Sequence, residues 1–242
     1  MTALRYSERP ADGAPAGLVV LHHGRGTDER DLIGLAGELD AAARWHVVTP
    51  RGPLQLPGSP GYHWYVVPRV GYPDPATFHA AYRALSELHD ALWASTGVPP
   101  ERTILGGFSM GAVMSYALGL GPDRPAPAGV LAFSGFIPAV EGWEPDMGTR
   151  ERTRVFIAHG RNDPIIDVSF AHAARGALQA GGLEVEYHES RAGHQIDPAH
   201  LALARRWLLS AIAPAQASGR RPALCSARGT LLGARHSARS AA

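Results

Sequence analysis

Residues 107–111 read Gly-Phe-Ser-Met-Gly and match the pattern G-x-S-x-G. They lie where a predicted strand, Thr103–Phe108, passes into a predicted helix at 109–120. A serine at such a turn stands exposed above the sheet edge, and the flanking glycines let the backbone pass close to its neighbours. The start of the helix adds N–H groups and the positive end of a dipole. We therefore predict that Ser109 is a nucleophile, against the alternative of a glycine-rich turn with an incidental serine.

A serine hydroxyl becomes a nucleophile only when a base takes its proton, and His194 is the candidate base. It lies in the loop 192–195, directly after the last predicted strand at 183–188. His188 and His200 are rivals, but the first lies within that strand and the second within the last predicted helix. The loop position favours His194, because a loop residue can reach across the sheet edge.

Asp163 is the candidate acid of the same group. A predicted strand at 155–158 runs into the segment 159–164, so Asp163 follows the carboxyl end of its strand, where α/β sheets carry functional loops. It would accept the Nδ1–H of His194 and stabilise the imidazolium. Asp167, farther past the strand, is an alternative acid, whereas Asp197 is better explained as a helix N-cap. The resulting order Ser, Asp, His along the chain is typical of α/β-hydrolases.

A loop rich in glycine follows the first core strand, at 21–26. We predict that the backbone N–H groups of Arg25 and Met110 form an oxyanion hole. His22 and His23 are neighbours at a strand end and point to opposite sides, which makes them a poor metal pair. The sequence has neither H-E-x-x-H nor paired cysteines, so we expect no metal and no cofactor.

The elements that must position these residues alternate between short apolar runs and amphipathic stretches. This alternation predicts βα units, and therefore an α/β fold with a mainly parallel central sheet and helices on both faces. The predicted strands are 18–21, 45–49, Thr103–Phe108, 130–133, 155–158 and 183–188, and the predicted helices are 28–43, 75–96, 109–120, 168–180 and 197–212.

Two loops are candidates for the walls of a pocket. The loop 51–73 is long and rich in glycine, proline and aromatic residues, and such loops are often functional. We predict that its Trp64 and Tyr65, together with Trp143 from the segment 138–152, line an acyl or alcohol pocket. Half-exposed packing is the alternative for these aromatic residues. The segment 138–152 is too short to form a lid domain.

Composition limits the remaining possibilities. With 242 residues and 45% apolar residues, the chain suits one α/β domain, which we place at 1–213. Five arginines and no acidic residue follow Pro214, and we predict a basic, disordered tail at 214–242. The chain contains no lysine, which excludes a lysine nucleophile or a P-loop lysine, and no clustered basic face indicates nucleic-acid binding.

The cellular setting follows from what the sequence lacks. The first 17 residues contain no apolar signal region, and apolar runs fall far short of the roughly 20 residues that span a bilayer. We therefore expect a cytoplasmic protein that is not inserted in a membrane. Cys225 is the single cysteine, so no intramolecular disulfide can form.

Four segments together resemble the phospholipase/carboxylesterase family, which also includes the acyl-protein thioesterases. They are 23–26, 107–111, 159–164 and 193–194, in the family's order, within a resemblance that covers 17–209. The resemblance implies a compact α/β-hydrolase without a large cap that hydrolyses small carboxylic esters or thioesters. Many members carry glutamine after the nucleophile, and here Met110 keeps the backbone donor but loses that side chain's hydrogen bond.

We expect from these observations a serine carboxylesterase that works through an acyl-enzyme intermediate on a small or lipid-like ester. Thioesters, lactones and lysophospholipids share the same tetrahedral chemistry and remain open as substrates. The alternative from another class is a non-catalytic α/β-hydrolase-fold protein that binds a ligand. Such a protein would usually have lost a member of the triad, whereas Ser109, Asp163 and His194 are all present.

Overall fold

A computed structural model describes residues 3–211 of the chain, with side chains as far as Ser210. The predicted tail at 214–242 therefore lies outside the described residues. Within this range no helix is both long enough and apolar enough to cross a lipid bilayer. The strands are β1 (Tyr6–Arg9), β2 (Gly17–His22), β3 (Trp45–Pro50), β4 (Leu54–Gln55), β5 (Tyr62–His63), β6 (Thr103–Phe108), β7 (Gly129–Phe133), β8 (Arg154–Gly160) and β9 (Val185–Ser190). The helices are α1 (Leu35–Leu39), α2 (Pro75–Thr96), α3 (Met110–Leu120), α4 (Ser169–Ala180) and α5 (Pro198–Ala211), with a short 3₁₀ helix at Pro100–Arg102.

The central sheet has seven strands in the order β1-β3-β2-β6-β7-β8-β9. All neighbouring strands pair in parallel except β1, which runs antiparallel to β3. The predicted α/β-hydrolase fold is therefore confirmed. Because the parallel strands end at one edge of the sheet, the loops after β2, β6, β8 and β9 meet there.

Helices cover the sheet on both faces, and the alternation of side chains along β2 shows how. Leu18 and Val20 point into a core that contains residues of α2, α3 and α4, whereas Val19 and Leu21 point into a second core with residues of α1 and α5. Because both faces of β2 contact an apolar core, the sequence of β2 is a continuous apolar run rather than an alternating one.

Helix α3 is the most deeply placed helix, since every one of its residues is buried. It can approach the sheet because Gly111 has no side chain. A Cβ at that position would lie 1.9 Å from the carbonyl oxygen of His22 and 2.6 Å from that of His23. Gly107 is similarly restricted, because its Cβ would lie 2.5 Å from the backbone of Gly111. Both glycines of the G-x-S-x-G pattern are therefore required by backbone contact.

We expect Gly111→Ala to destabilise the protein by about 3 kcal/mol, because the clash is with backbone that cannot rotate away. Gly176 in α4 is a matched control, since a Cβ there meets nothing within 4 Å. Gly176→Ala should raise stability by about 0.5–1 kcal/mol through helix propensity. Denaturant unfolding curves of the two variants test this, and equal stabilities would contradict the close approach of α3.

The prediction of a long helix at 28–43 is wrong, because only Leu35–Leu39 is helical. Turns precede it, in which the Asp28 side chain accepts from the N–H of Arg30 and its carbonyl accepts from the N–H of Asp31. An aspartate that bonds its own backbone in this way competes with the helix, and the glycines at 34 and 37 weaken helix propensity further.

The edges of the sheet also differ from the prediction. Strand β1 was not predicted, because the four residues of an exposed edge strand lack a clear apolar pattern. Strand β9 begins at Val185 rather than at 183, since the N–H of Leu183 still donates to the carbonyl of Leu178 at the end of α4. The long loop 51–73 contains the small antiparallel pair β4 and β5.

Candidate active site

Ser109 occupies the turn between β6 and α3, with φ 55° and ψ −120°. Its N–H donates to the carbonyl of Phe133 at 2.9 Å, and its carbonyl accepts from the N–H of Val113 at 3.2 Å. A positive φ in a residue with a side chain costs about 1–3 kcal/mol, and it persists only where the surroundings enforce it. Here the two hydrogen bonds and the contact between α3 and β2 hold the turn.

The structure brings Ser109, His194 and Asp163 together. His194 Nε2 lies 2.9 Å from Ser109 Oγ, and His194 Nδ1 lies 2.7 Å from Asp163 Oδ2. The ring of His194 packs against that of Phe108, with the centroids 4.9 Å apart. A carboxylate that accepts from Nδ1–H leaves Nε2 free to take the serine proton, which is the arrangement that activates a hydroxyl.

The carboxylate of Asp163 is held at both oxygens. Oδ2 faces His194, while Oδ1 accepts from the N–H groups of Ile165 and Ile166, both at 2.9 Å. Burial alone raises the pKa of Asp163, but the hydrogen bonds from His194, Ile166 and Ile165 outweigh it, so the pKa is lowered overall. The acid is therefore ionised at neutral pH.

The rival residues have other contacts. Asp167 accepts from the N–H of Ser169 at the start of α4, and Asp197 accepts from the N–H of Ala199 at the start of α5. His188 pairs with Glu186 on the same strand, and His200 is buried within α5.

Arg25 and Met110 lie at the same end of the sheet as Ser109, and both residues line the cavity above it. Met110 is the first residue of α3, so its N–H has no acceptor within the helix. Gly24 packs against Phe108, where an added Cβ would lie 3.1 Å from the ring. This arrangement can present two backbone donors to a developing oxyanion.

His22 and His23 are both internal. His22 Nδ1 lies 2.8 Å from Ser115 Oγ, and His23 Nε2 accepts from the N–H of Gly52 at 2.9 Å. Burial lowers the pKa of both histidines, so both are neutral at physiological pH. Within residues 3–210, no group of three or more histidine, cysteine or acidic side chains is arranged to hold a metal ion.

A cavity of about 730 Å³ opens above Ser109 and His194. Its walls come from the loops after β2, β5, β7, β8 and β9 and from the junction of β6 with α3. The apolar wall residues are Leu32, Tyr65, Val67, Val70, Phe108, Met110, Phe136, Ile165, Ile166 and Ile196, and the polar ones include Arg25, Thr27, Asp31 and Gln195. Such a cavity fits a small organic ligand with an apolar portion.

Of the three aromatic residues predicted to line the pocket, only Tyr65 does so. Trp64 is fully buried, and its indole N–H donates to the carbonyl of His23 at 2.9 Å. The N–H of Trp64 also donates to the sulfur of Met110, at 3.3 Å. Trp143 is buried against Phe78 in the core. Both tryptophans therefore belong to the core rather than to the walls of the cavity.

Sequence reasoning missed most of the apolar wall. Phe108 directly precedes Ser109, and Ile165 and Ile166 lie two and three residues after Asp163, so closeness in sequence to the predicted site was an available signal. Val70 and Phe136 come from loops with no local pattern that marks them. The contacts of His159, buried beside Asp163, were also missed.

Comparison with known proteins shows which family the chain belongs to. The sequence pattern of the phospholipase/carboxylesterase family matches residues 9–212. The chain belongs to the phospholipase/carboxylesterase family. The resemblance that the four sequence segments indicated is thereby confirmed.

Individual proteins and solved structures are also similar to this chain. The structure of esterase PE8 is 32% identical, with a TM-score of 0.73, and the match covers 86% of this chain and 99% of that one. Acyl-protein thioesterase 1 of Debaryomyces hansenii is 29% identical over 147 residues, or 58% of this chain and 61% of that protein. A carboxylesterase of Bacillus cereus, 23% identical with a TM-score of 0.75, covers 86% of this chain and 94% of its own and shares the fold.

Proposed function

We propose that this family member is a serine hydrolase that cleaves carboxylic esters through an acyl-enzyme intermediate. The observation that carries the proposal is the continuous chain of hydrogen-bonding distances from Ser109 through His194 to Asp163. Membership of the phospholipase/carboxylesterase family supports the same chemistry. No step requires a cofactor, because the nucleophile, the base and the oxyanion donors all come from the chain.

In the first half-reaction, Ser109 Oγ attacks the ester carbonyl while His194 Nε2 takes its proton. The carbonyl oxygen becomes an oxyanion that the N–H groups of Arg25 and Met110 stabilise. The tetrahedral intermediate collapses, the C–O bond to the alcohol breaks, and His194 returns the proton to the leaving oxygen. Water then attacks the acyl-serine with His194 again as base, and the carboxylic acid leaves.

The cavity supports a substrate with an apolar acyl or alcohol portion of small to moderate size. Its walls are mainly aliphatic and aromatic, and two of the apolar wall residues, Val67 and Ile165, are also exposed to solvent. A thioester fits the same site, since its carbonyl would meet the same nucleophile and donors. The acyl-protein thioesterase among the relatives makes thioesters the second substrate class to measure.

Fluorophosphonate labelling followed by peptide mass spectrometry tests the proposal directly. We expect modification at Ser109 and loss of p-nitrophenyl ester hydrolysis in proportion to the labelled fraction. A protein that binds ligands without catalysis would be neither labelled at Ser109 nor active on any ester or thioester. That outcome would favour the non-catalytic reading of the same fold.

The apolar walls predict a dependence on acyl chain length. Each methylene group that the cavity buries contributes up to about 0.8 kcal/mol, or a factor of about 4 in kcat/KM. We therefore expect kcat/KM for p-nitrophenyl esters to rise from acetate to butyrate and to level off once the chain leaves the cavity. A series from acetate to palmitate measures this, and a steady fall from acetate onward would show that the acyl group does not enter these walls.

A further inference from the structure

His159 lies near the end of β8, and its side chain is completely buried. Its Nε2 atom lies 2.8 Å from the carbonyl oxygen of Ile166 and 3.5 Å from Oδ2 of Asp163. The other ring nitrogen, Nδ1, is buried without a hydrogen-bond partner among the described residues. His159 is not one of the residues that line the cavity, so it contacts Asp163 from the side away from the cavity.

The contact with Ile166 fixes which ring nitrogen of His159 donates a hydrogen bond. A carbonyl oxygen only accepts hydrogen bonds, so Nε2 of His159 must carry a hydrogen and donate it to Ile166. The contact with Ile166 therefore fixes the hydrogen on Nε2 of His159.

The donated hydrogen bond closes the turn that carries the acid. The N–H of Ile166 donates to Asp163 Oδ1, and the carbonyl of the same residue accepts from His159. The N–H of Ile165 donates to Oδ1 as well, so the direction of the carboxylate depends on the backbone of this turn. The separation of 3.5 Å between His159 Nε2 and Asp163 Oδ2 is too long for a good hydrogen bond, but the N–H dipole still favours the ionised carboxylate.

We infer that His159 is a positioning residue for Asp163, a role that rests on the proposed function. By holding the carbonyl of Ile166, it keeps Asp163 Oδ2 in line with Nδ1 of His194. A purely structural His159 would fill space between β8 and the turn, and its loss would lower stability without acting through the carboxylate. The two roles predict different kinetics.

Two polar variants separate the hydrogen bond from the volume. The amide of His159→Gln can place a donor near the position of Nε2, whereas the shorter amide of His159→Asn falls short of Ile166. We expect His159→Asn to lower kcat by up to about 10²-fold with KM nearly unchanged, since small misplacements of a catalytic group have effects of this size. His159→Gln should recover most of that loss. His188→Met on neighbouring β9 is the control for removing a histidine, and it should retain wild-type kcat.

A double-mutant cycle with Asp163→Asn distinguishes a positioning role from a structural one, because it measures whether the two losses in kcat are coupled. If His159 acts through the carboxylate, adding His159→Asn to Asp163→Asn should lower the residual kcat little further. The same fold-loss in both backgrounds would overturn the inference. Wild-type kcat in His159→Asn, or equal kcat in the Asn and Gln variants, would also overturn it.

Labelling keeps this test distinct from that of the proposed function. Circular dichroism measures the folded fraction of each variant, and kcat is expressed per folded protein, whereas fluorophosphonate labelling of wild-type protein reports whether Ser109 is the nucleophile. If wild-type protein is not labelled at Ser109, the proposed function fails and this inference fails with it. If wild-type protein is labelled and His159→Asn is fully active, only the role of His159 is overturned. His159→Met, which matches the imidazole more closely in volume, replaces the Asn variant should the latter not fold.

Discussion

Ser109→Ala is expected to lower kcat for ester hydrolysis by about 10⁶-fold, the effect of removing the nucleophile from a serine hydrolase of known mechanism. The loss follows from geometry, because Ser109 Oγ is the atom that His194 Nε2 faces at 2.9 Å. Folding should be nearly unaffected, since alanine keeps the Cβ and the buried hydroxyl makes its contact with His194 alone. Steady-state kinetics beside a thermal unfolding curve measure both quantities.

Ser109→Gly is the matched control for this variant. It also lacks the hydroxyl and should be equally inactive, but glycine adopts φ 55° without a Cβ penalty. Its stability relative to Ser109→Ala reports the strain at the turn, with a gain of about 1–2 kcal/mol expected. Turnover near the wild-type value in either variant would show that Ser109 is not the nucleophile, while the fold and the family would be unaffected.

The sequence predicted the fold well where apolar burial dominates. Strands β6 to β8 and helices α2 to α5 begin or end within a few residues of their predicted limits, because continuous apolar runs and Asp-Pro caps mark them clearly. It failed at β1 and at the segment 28–34, where polar residues bond locally and the outcome depends on neighbours far along the chain. The local sequence of an edge strand or a turn does not contain enough information to predict contacts with such distant residues.

The candidate site shows the same division. Strand ends and glycine-containing turns predict Ser109, Asp163 and His194, and the structure places His194 within hydrogen-bonding distance of both Ser109 and Asp163. The residues that line the cavity are harder to predict from the sequence, because a tryptophan is equally suited to a pocket wall and to a core. Trp64 is in the core because its N–H groups find acceptors in His23 and Met110, which are contacts that no local pattern encodes.

Asp163→Asn is expected to lower kcat by about 10⁴-fold, as the corresponding change does in a serine protease. The structure gives a reason beyond loss of charge. Oδ1 of Asp163 accepts from two backbone N–H groups, so an asparagine would keep its oxygen there and turn its NH₂ toward His194. His194 Nδ1 would then have to accept, its hydrogen would move to Nε2, and Nε2 could no longer take the proton of Ser109.

Asp167→Asn and Asp197→Asn are the controls, because both aspartates accept from backbone N–H groups at helix starts and both asparagines can still do so. We expect kcat near the wild-type value in both.

The tautomer argument also predicts that Asp163→Ala lowers kcat less than Asp163→Asn does at high pH, because alanine removes the carboxylate without placing a hydrogen-bond donor opposite Nδ1 of His194. Kinetics of all four variants decide the assignment. An inactive Asp167→Asn beside an active Asp163→Asn would move the acid to the end of the same loop, whereas an Asp163→Ala as impaired as Asp163→Asn at every pH would assign the loss to charge alone.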